Sequence, residues 1–201
     1  MLKKILIVMF CTAASVLAGA CGSSTTMEQT WKAPQPQASL RNVVTVYISR
    51  DGALRRNMED TMAARLNSRG IHAVPGYAVL TDTDLGDREA ARRKLIAQGF
   101  DGVVAIRLIG AHTQLQIEPT FMGYWGGAWA YDNAYLTTQT IVRVETSVFS
   151  LRDGRLVWSG VSRTIDPSST HSAIASVTKA VAKQLEHHGV VASAGGGAPA
   201  T

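Results

Sequence analysis

The sequence predicts an α/β (α+β) fold, a mixed β-sheet in the order β-α-β-α-β-β-β-α with helices packed on it. Three observations predict it. Short β-rich runs alternate with amphipathic stripes over residues 42–109. An Asp153-Gly154 pair joins two long β-rich runs, which is a hairpin signal. A final amphipathic stretch then closes the chain as a single helix.

The first strand comes from Val43, Val44, Val46, Tyr47 and Ile48, and Asp51-Gly52 breaks it. Leu54, Met58, Met62 and Leu66 recur every four residues and mark one face of a helix, with Gly70 placed to end it. Ile71 to Val74 read as a second strand, stopped by Pro75-Gly76. Asp84 or Asp87 caps the next helix, which runs to Gln98 and ends at Gly99. Phe100 to Ile109 form a near-continuous apolar run, expected as a central strand buried on both faces. The alternation of Thr113, Leu115 and Ile117 extends it as a half-exposed strand. The hairpin strands cover 137–151 and 155–165, with Trp158 expected in the core. Ser168, Ser169 or Thr170 caps the last helix, whose apolar face is Ile174, Val177, Val181 and Leu185 and whose end is Gly189.

The ends of the chain read differently. Lys3 and Lys4 precede an apolar stretch, Ile5 to Leu17, and the small residues Ala18, Gly19 and Ala20 follow. This is the layout of a secretory signal, and it is shorter than the roughly 20 residues a membrane span needs. Residues 22–41 are polar with two prolines and read as a flexible tether, with Trp31 as its one bulky residue, expected to dock on the domain, with contact to lipid headgroups as the alternative. The domain organisation is therefore a signal over 1–20, Cys21 and a tether over 21–41, one α/β domain over 42–191, and a disordered Gly- and Ala-rich tail over 192–201.

Composition narrows the function classes. The apolar fraction of 46% supports one core and is too low for a multi-span membrane protein. The formal charge of +5 falls to +3 once Lys3 and Lys4 leave with the signal. Basic and acidic residues interleave, as in Arg55, Arg56, Glu59, Asp60 and in Arg88, Glu89, Arg92, which reads as solvated helix faces and argues against a nucleic-acid partner. Cys11 lies in the signal, so the mature domain has only Cys21 and forms no internal disulfide.

Cys21 directly after Ala18-Gly19-Ala20 resembles the lipobox of bacterial lipoproteins. It departs in one place: the family prefers Leu three residues before the Cys, where Ala18 stands here, with Leu17 one further back. The resemblance implies a lipidated Cys21 and a membrane anchor. Gly22, which is not the Asp that retains such proteins in the inner membrane, implies the outer membrane with the domain facing the periplasm. An ordinary signal cut after Ala20, leaving a free Cys, is the alternative.

Over residues 42–191 the order of elements, the buried run Phe100–Ile109 and the segment Arg155-Leu156-Val157-Trp158-Ser159 after an Asp-Gly turn resemble bacterial lipoproteins of unknown function. They are distantly similar to the curli-secretion lipoprotein and the TolB amino-terminal domain. These shared motifs are a turn and a core Trp, so they imply a fold and no activity. The curli-secretion protein forms a pore through long hairpins, and the stretches near 103–118 and 137–151 are the sole candidates for such strands here.

Phe121, Tyr124, Trp125, Trp129, Tyr131 and Tyr135 hold six of the 13 aromatic residues within one Gly-rich stretch. Tyr and Trp combine large contact area with a polar edge and suit interfaces, so these six are the expected partner-binding residues. The alternative is a loop folded back over the sheet with its aromatics buried. His72, His112, His171, His187 and His188 have no ligand-spaced companions, so no metal is expected. Ser176-Val177-Thr178-Lys179 matches an S-x-x-K pattern without its companion motifs, and no G-x-S-x-G, phosphate loop or Cys-x-x-Cys occurs.

The leading expectation is a non-enzymatic, membrane-anchored envelope lipoprotein that binds an envelope protein or peptidoglycan, with no cofactor and no catalytic residues. One alternative is an enzyme acting on cell-wall or lipid substrates through a cleft that involves Asp132 or Glu145. Another is a self-assembling structural lipoprotein, which concentration-dependent sedimentation would reveal.

Overall fold

A computed structural model describes residues 24–35, 38–118 and 135–192, with the backbone alone described at 116–118, 135 and 136. The strands are β1 (Ser24–Lys32), β2 (Asn42–Tyr47), β3 (His72–Pro75), β4 (Gly102–Glu118), β5 (Tyr135–Ser150) and β6 (Leu156–Ile165). The helices are α1 (Gly52–Asn67), α2 (Asp82–Gly86), α3 (Arg88–Ala97) and α4 (Thr170–His187). The expected mixed sheet with helices packed on it is present, and its strand order is β1-β6-β5-β4-β2-β3. β2 runs parallel to β3 and β4, and every other neighbouring pair is antiparallel.

One element lies where the sequence reads as a tether. Ser24–Lys32 is an edge strand that pairs with β6 from Ser24↔Ile165 to Lys32↔Trp158. The tether expectation is corrected here for a physical reason. An edge strand over a sheet rim can be polar on nearly all its length, because only Thr25 and Met27 turn towards the core side. Trp31 lies on this strand and stays 47% exposed.

The helices start and stop where local chemistry satisfies their end groups. The Asp51 carboxylate accepts from the Ala53 and Leu54 N–H groups at 2.9 and 3.0 Å and caps α1. Asp87 caps α3 in the same way, while Asp84 belongs to a separate box with Thr81 that starts α2, so the one expected helix is two. Ser169 caps α4 through a reciprocal bond pair with Ser172.

α1 and α4 lie side by side on one face of the sheet. Met58, Met62 and Leu66 from α1 meet Ile174, Val177, Val181 and Leu185 from α4 over Val43, Val104, Ile106, Val144, Val148 and Trp158. Full burial of each such aliphatic chain contributes about 1.5–3 kcal/mol. Among the described residues the opposite face is covered only in part. There Leu80, Leu95, Phe100 and Leu151 pack on Val44 and Val46. β2 is thus the strand buried on both faces, whereas β4, expected in that role, has half-buried Val103 and Ala105 on its second face.

Two details hold the core. Trp158 is fully buried, and its ring lies over Gly160, where an added Cβ would sit 2.5 Å from Cη2. Its indole N–H donates to Nδ1 of His188 at 2.8 Å, so a buried polar group finds a partner at the end of α4. Glu59 is also fully buried. β3 stops at Pro75, opposite Thr45, so the backbone N–H of Tyr47 has no strand partner on that side. Glu59 Oε1 accepts it at 3.0 Å, Oε2 accepts the Tyr77 N–H at 2.8 Å, and Arg55 Nε donates to Oε1 at 3.0 Å.

Candidate functional site: a projecting two-stranded ribbon

β4 and β5 are longer than the sheet that holds them. β2 pairs with β4 only as far as Tyr47↔Ile106, and β6 pairs with β5 only as far as Ile165↔Ile141. Beyond the row His112↔Ile141 the two strands continue to Glu118↔Tyr135, paired to each other alone among the described residues. At about 3.4 Å per residue this ribbon extends about 20 Å past the sheet.

Local sequence explains the projection. A bulge at Ile109, between Leu108↔Val144 and Gly110↔Arg143, re-aims β4 as it leaves the sheet. Asp166, at a φ of 45°, turns the chain out of β6. There its carboxylate accepts the Thr140 N–H at 2.6 Å and its own N–H donates to the Thr140 carbonyl at 2.8 Å. This clamp marks the last row at which a third strand supports the ribbon.

The exposed side chains of the ribbon are mostly polar, His112, Thr113, Gln114, Thr137 and Thr138 among them, and large apolar side chains are exposed between them and at the root. Leu115 is 70% exposed, Ile48 beside the root is 65% exposed, and Leu108 and Ile109 are also exposed. Large exposed apolar side chains gathered in one region are a feature of interaction surfaces. Charged groups frame the root: Arg107 donates to Glu145 through Nε at 2.7 Å, and Arg143 donates to Glu28 of β1 through Nε at 2.9 Å.

The sequence-derived residues fall as follows. Tyr135 opens β5 opposite Glu118, so the segment carrying the aromatic cluster joins the two ends of the ribbon. Phe121, Tyr124, Trp125, Trp129 and Tyr131 lie outside the described residues, as do Cys21 and Asp132. Glu145 is held in the Arg107 pair and receives the Ser147 hydroxyl at 3.4 Å. Ser176 is half-buried against Thr25 of β1, whose hydroxyl donates to it at 2.7 Å, while Lys179 is exposed. His187 and His188 approach each other, with ring centroids 5.3 Å apart, and His72 stacks on Phe100. Among the described residues no group of three or more His, Cys, Asp or Glu gathers as a metal site, and no helix is long and apolar enough to cross a membrane.

Sequence reasoning missed where the residues that follow Cys21 lie relative to the ribbon. Ser24 pairs with Ile165, Ile165 with Ile141, and Ile141 with His112. Ser24, three residues after Cys21, therefore stands in the row from which the ribbon departs. Three extended residues reach at most about 11 Å. The Thr25-Met27 alternation inside 24–32 is the one local signal of this strand.

No protein-family model and no curated protein matches the chain. Among solved structures it is similar to the PelC dodecamer from Paraburkholderia phytofirmans, at TM-score 0.46 and 15% identity over 79% of this chain and 94% of that one. It is similar to lipoprotein GNA1162 from Neisseria meningitidis, at TM-score 0.43 and 19% identity over 73% of this chain and 99% of that one. A minor lipoprotein from Acinetobacter baumannii is similar at TM-score 0.32 and 8% identity over 74% of this chain and 94% of that one.

Proposed function

We propose that the chain is a non-enzymatic, membrane-anchored envelope lipoprotein whose domain, on the periplasmic side of the outer membrane, binds another envelope component, a protein or a glycan. The lipid on Cys21 holds it, since each buried methylene contributes about 0.8 kcal/mol to membrane binding. The observation that carries the reading is the shared pole: the strand that follows Cys21 begins in the row from which the ribbon departs. With the anchor within about 11 Å of Ser24 and the ribbon about 20 Å long, the ribbon's end at Glu118 and Tyr135 reaches the level of the membrane surface. A component at that surface is the partner, and the six aromatic residues are its contact. The interleaved charges support no nucleic-acid role.

The test is crosslinking in live cells with a photoreactive residue at Trp125 or Trp129, followed by mass spectrometry. A discrete adduct is expected, lost when Cys21→Ser releases the chain from the membrane. Deleting 121–135 should leave the fold intact and abolish capture. Absence of any adduct, together with an unfolded deletion variant, overturns the reading.

A further inference from the structure

At the opposite pole of the sheet, where β2 and β4 begin and β5 turns into β6, the structure holds a polar cleft of about 610 Å³. Three arginines from two separate parts of the chain border it: Arg41 before β2, and Arg152 and Arg155 in the β5–β6 turn. All three are exposed, and none forms an ion pair among the described residues. Two carboxylates share the cleft, and both are engaged by backbone. Asp101 accepts the Arg41 N–H at 2.8 Å through Oδ2 and the Asn42 N–H at 3.1 Å through Oδ1. Asp153 is held below the usual carboxylate range chiefly by the Ser150 hydroxyl, and it also accepts the Arg155 N–H at 3.5 Å.

The frame beneath the arginines is tied at several points. Arg92 of α3 donates to the Leu151 and Arg152 carbonyls at 2.9 and 2.8 Å. The Leu151 N–H donates to the Asp101 carbonyl at 2.8 Å, and the Asp101 N–H to the Asn42 carbonyl at 2.8 Å. The turn and the β2 entry are thereby fixed to each other. Asp101 and Asp153 accept backbone N–H groups of this frame, and the three arginines, without ion pairs among the described residues, border the opening. A planar fork matches the two oxygens of a carboxylate or phosphate, and the tied backbone holds the three arginines around one opening.

We propose that this cleft is a binding site for an oxyanion, a carboxylate or phosphate borne by an anionic ligand, with Arg41, Arg152 and Arg155 as its donors. The site stands apart from the ribbon and does not depend on the aromatic contact. Its place opposite the anchor row directs it away from the bilayer that the lipid on Cys21 would enter, so in an anchored chain it takes its ligand from the aqueous side.

The test uses the full-length protein in mild detergent, titrated calorimetrically with citrate and with inorganic pyrophosphate at low salt. Binding that weakens with added salt is expected, and the paired change Arg152→Gln with Arg155→Gln weakens it at least about ten-fold. Arg41→Gln weakens it too. Arg50→Gln, an exposed arginine at the ribbon pole, is the control and leaves binding unchanged. All these positions are exposed, so the variants keep the fold, which circular dichroism checks. Purified cell-wall sacculi form a second arm: co-sedimentation that needs Arg152 and Arg155 assigns the oxyanion to a polymer, and binding of the small anions alone assigns it to a free ligand. No binding of either anion by the wild type, or equal loss in Arg50→Gln, overturns the proposal. Neither result touches the anchoring reading, which Cys21→Ser and the crosslinks report.

Discussion

Replacing Glu59 by alanine tests the account of how β2 ends. The carboxylate is fully buried and receives three donors: the Tyr47 and Tyr77 N–H groups and Arg55 Nε. Its removal orphans two backbone N–H groups, at about 1–3 kcal/mol each. Arg55 keeps Asp82, at 2.9 Å, but that carboxylate is almost wholly exposed, so a guanidinium that is itself mostly buried loses its inner partner. Against this stands the relief of no longer desolvating a carboxylate, which itself costs several kcal/mol. Breaking one side of a buried pair generally costs about 3–5 kcal/mol, and we expect that range for Glu59→Ala. For a domain of this size that lowers Tm by roughly 6–20 °C. The assay is thermal unfolding of the full chain in mild detergent, followed by circular dichroism. Glu59→Gln keeps the shape but turns one acceptor into a donor, so it should fall between wild type and Glu59→Ala. A loss below about 1 kcal/mol in Glu59→Ala would show that water satisfies these N–H groups equally well, and the reasoning would fail.

Three further outcomes follow from named contacts. Burial, then the charges of His187 and Lys32, hold His188 below its ordinary value of 6.5, and its Nδ1 must stay unprotonated to accept the Trp158 N–H. Stability from this group is therefore complete above about pH 7 and falls as pH drops from 6.5 through the folded-state value; thermal melts against pH should show that loss, and His188→Gln should flatten it. Gly160→Ala puts a Cβ 2.5 Å from the Trp158 ring and 2.8 Å from Met27, so it should cost about 1–3 kcal/mol and alter the near-ultraviolet tryptophan signal, and an unchanged melt would refute the contact. Lys94, then Thr81, hold Asp84 at about 2, so the start of α2 should weaken only as pH falls from 3.8 towards 2, and Asp84→Asn should remove that part of the acid titration.

Local pattern alone encodes the faces of the helices and the main turn. The stripe Met58, Met62, Leu66 lies on the buried face of α1, and Ile174, Val177, Val181 and Leu185 do the same in α4, because a helix repeats its faces within a few residues. Asp153-Gly154 makes the β5–β6 turn with Gly154 at a φ of 69°, a conformation glycine enters without a Cβ penalty. Trp158 is in the core because its large apolar ring falls on the core-facing side of the β6 alternation, with Gly160, Ser162 and Thr164. The tertiary structure decided the rest. β1 was invisible because an edge strand with one side in water needs little apolar alternation, and its partner β6 lies more than 120 residues away in the chain. The same holds for both candidate sites. The ribbon is a site because β2 and β6 stop short of where β4 and β5 continue, which is a property of pairing and not of either strand. Arg41 and Arg155 border one cleft because β2 lies beside β4 and β4 beside β5. Short-range periodicity reports which side of an element faces the core, but convergence of distant residues is set by strand order, which only the packed sheet fixes.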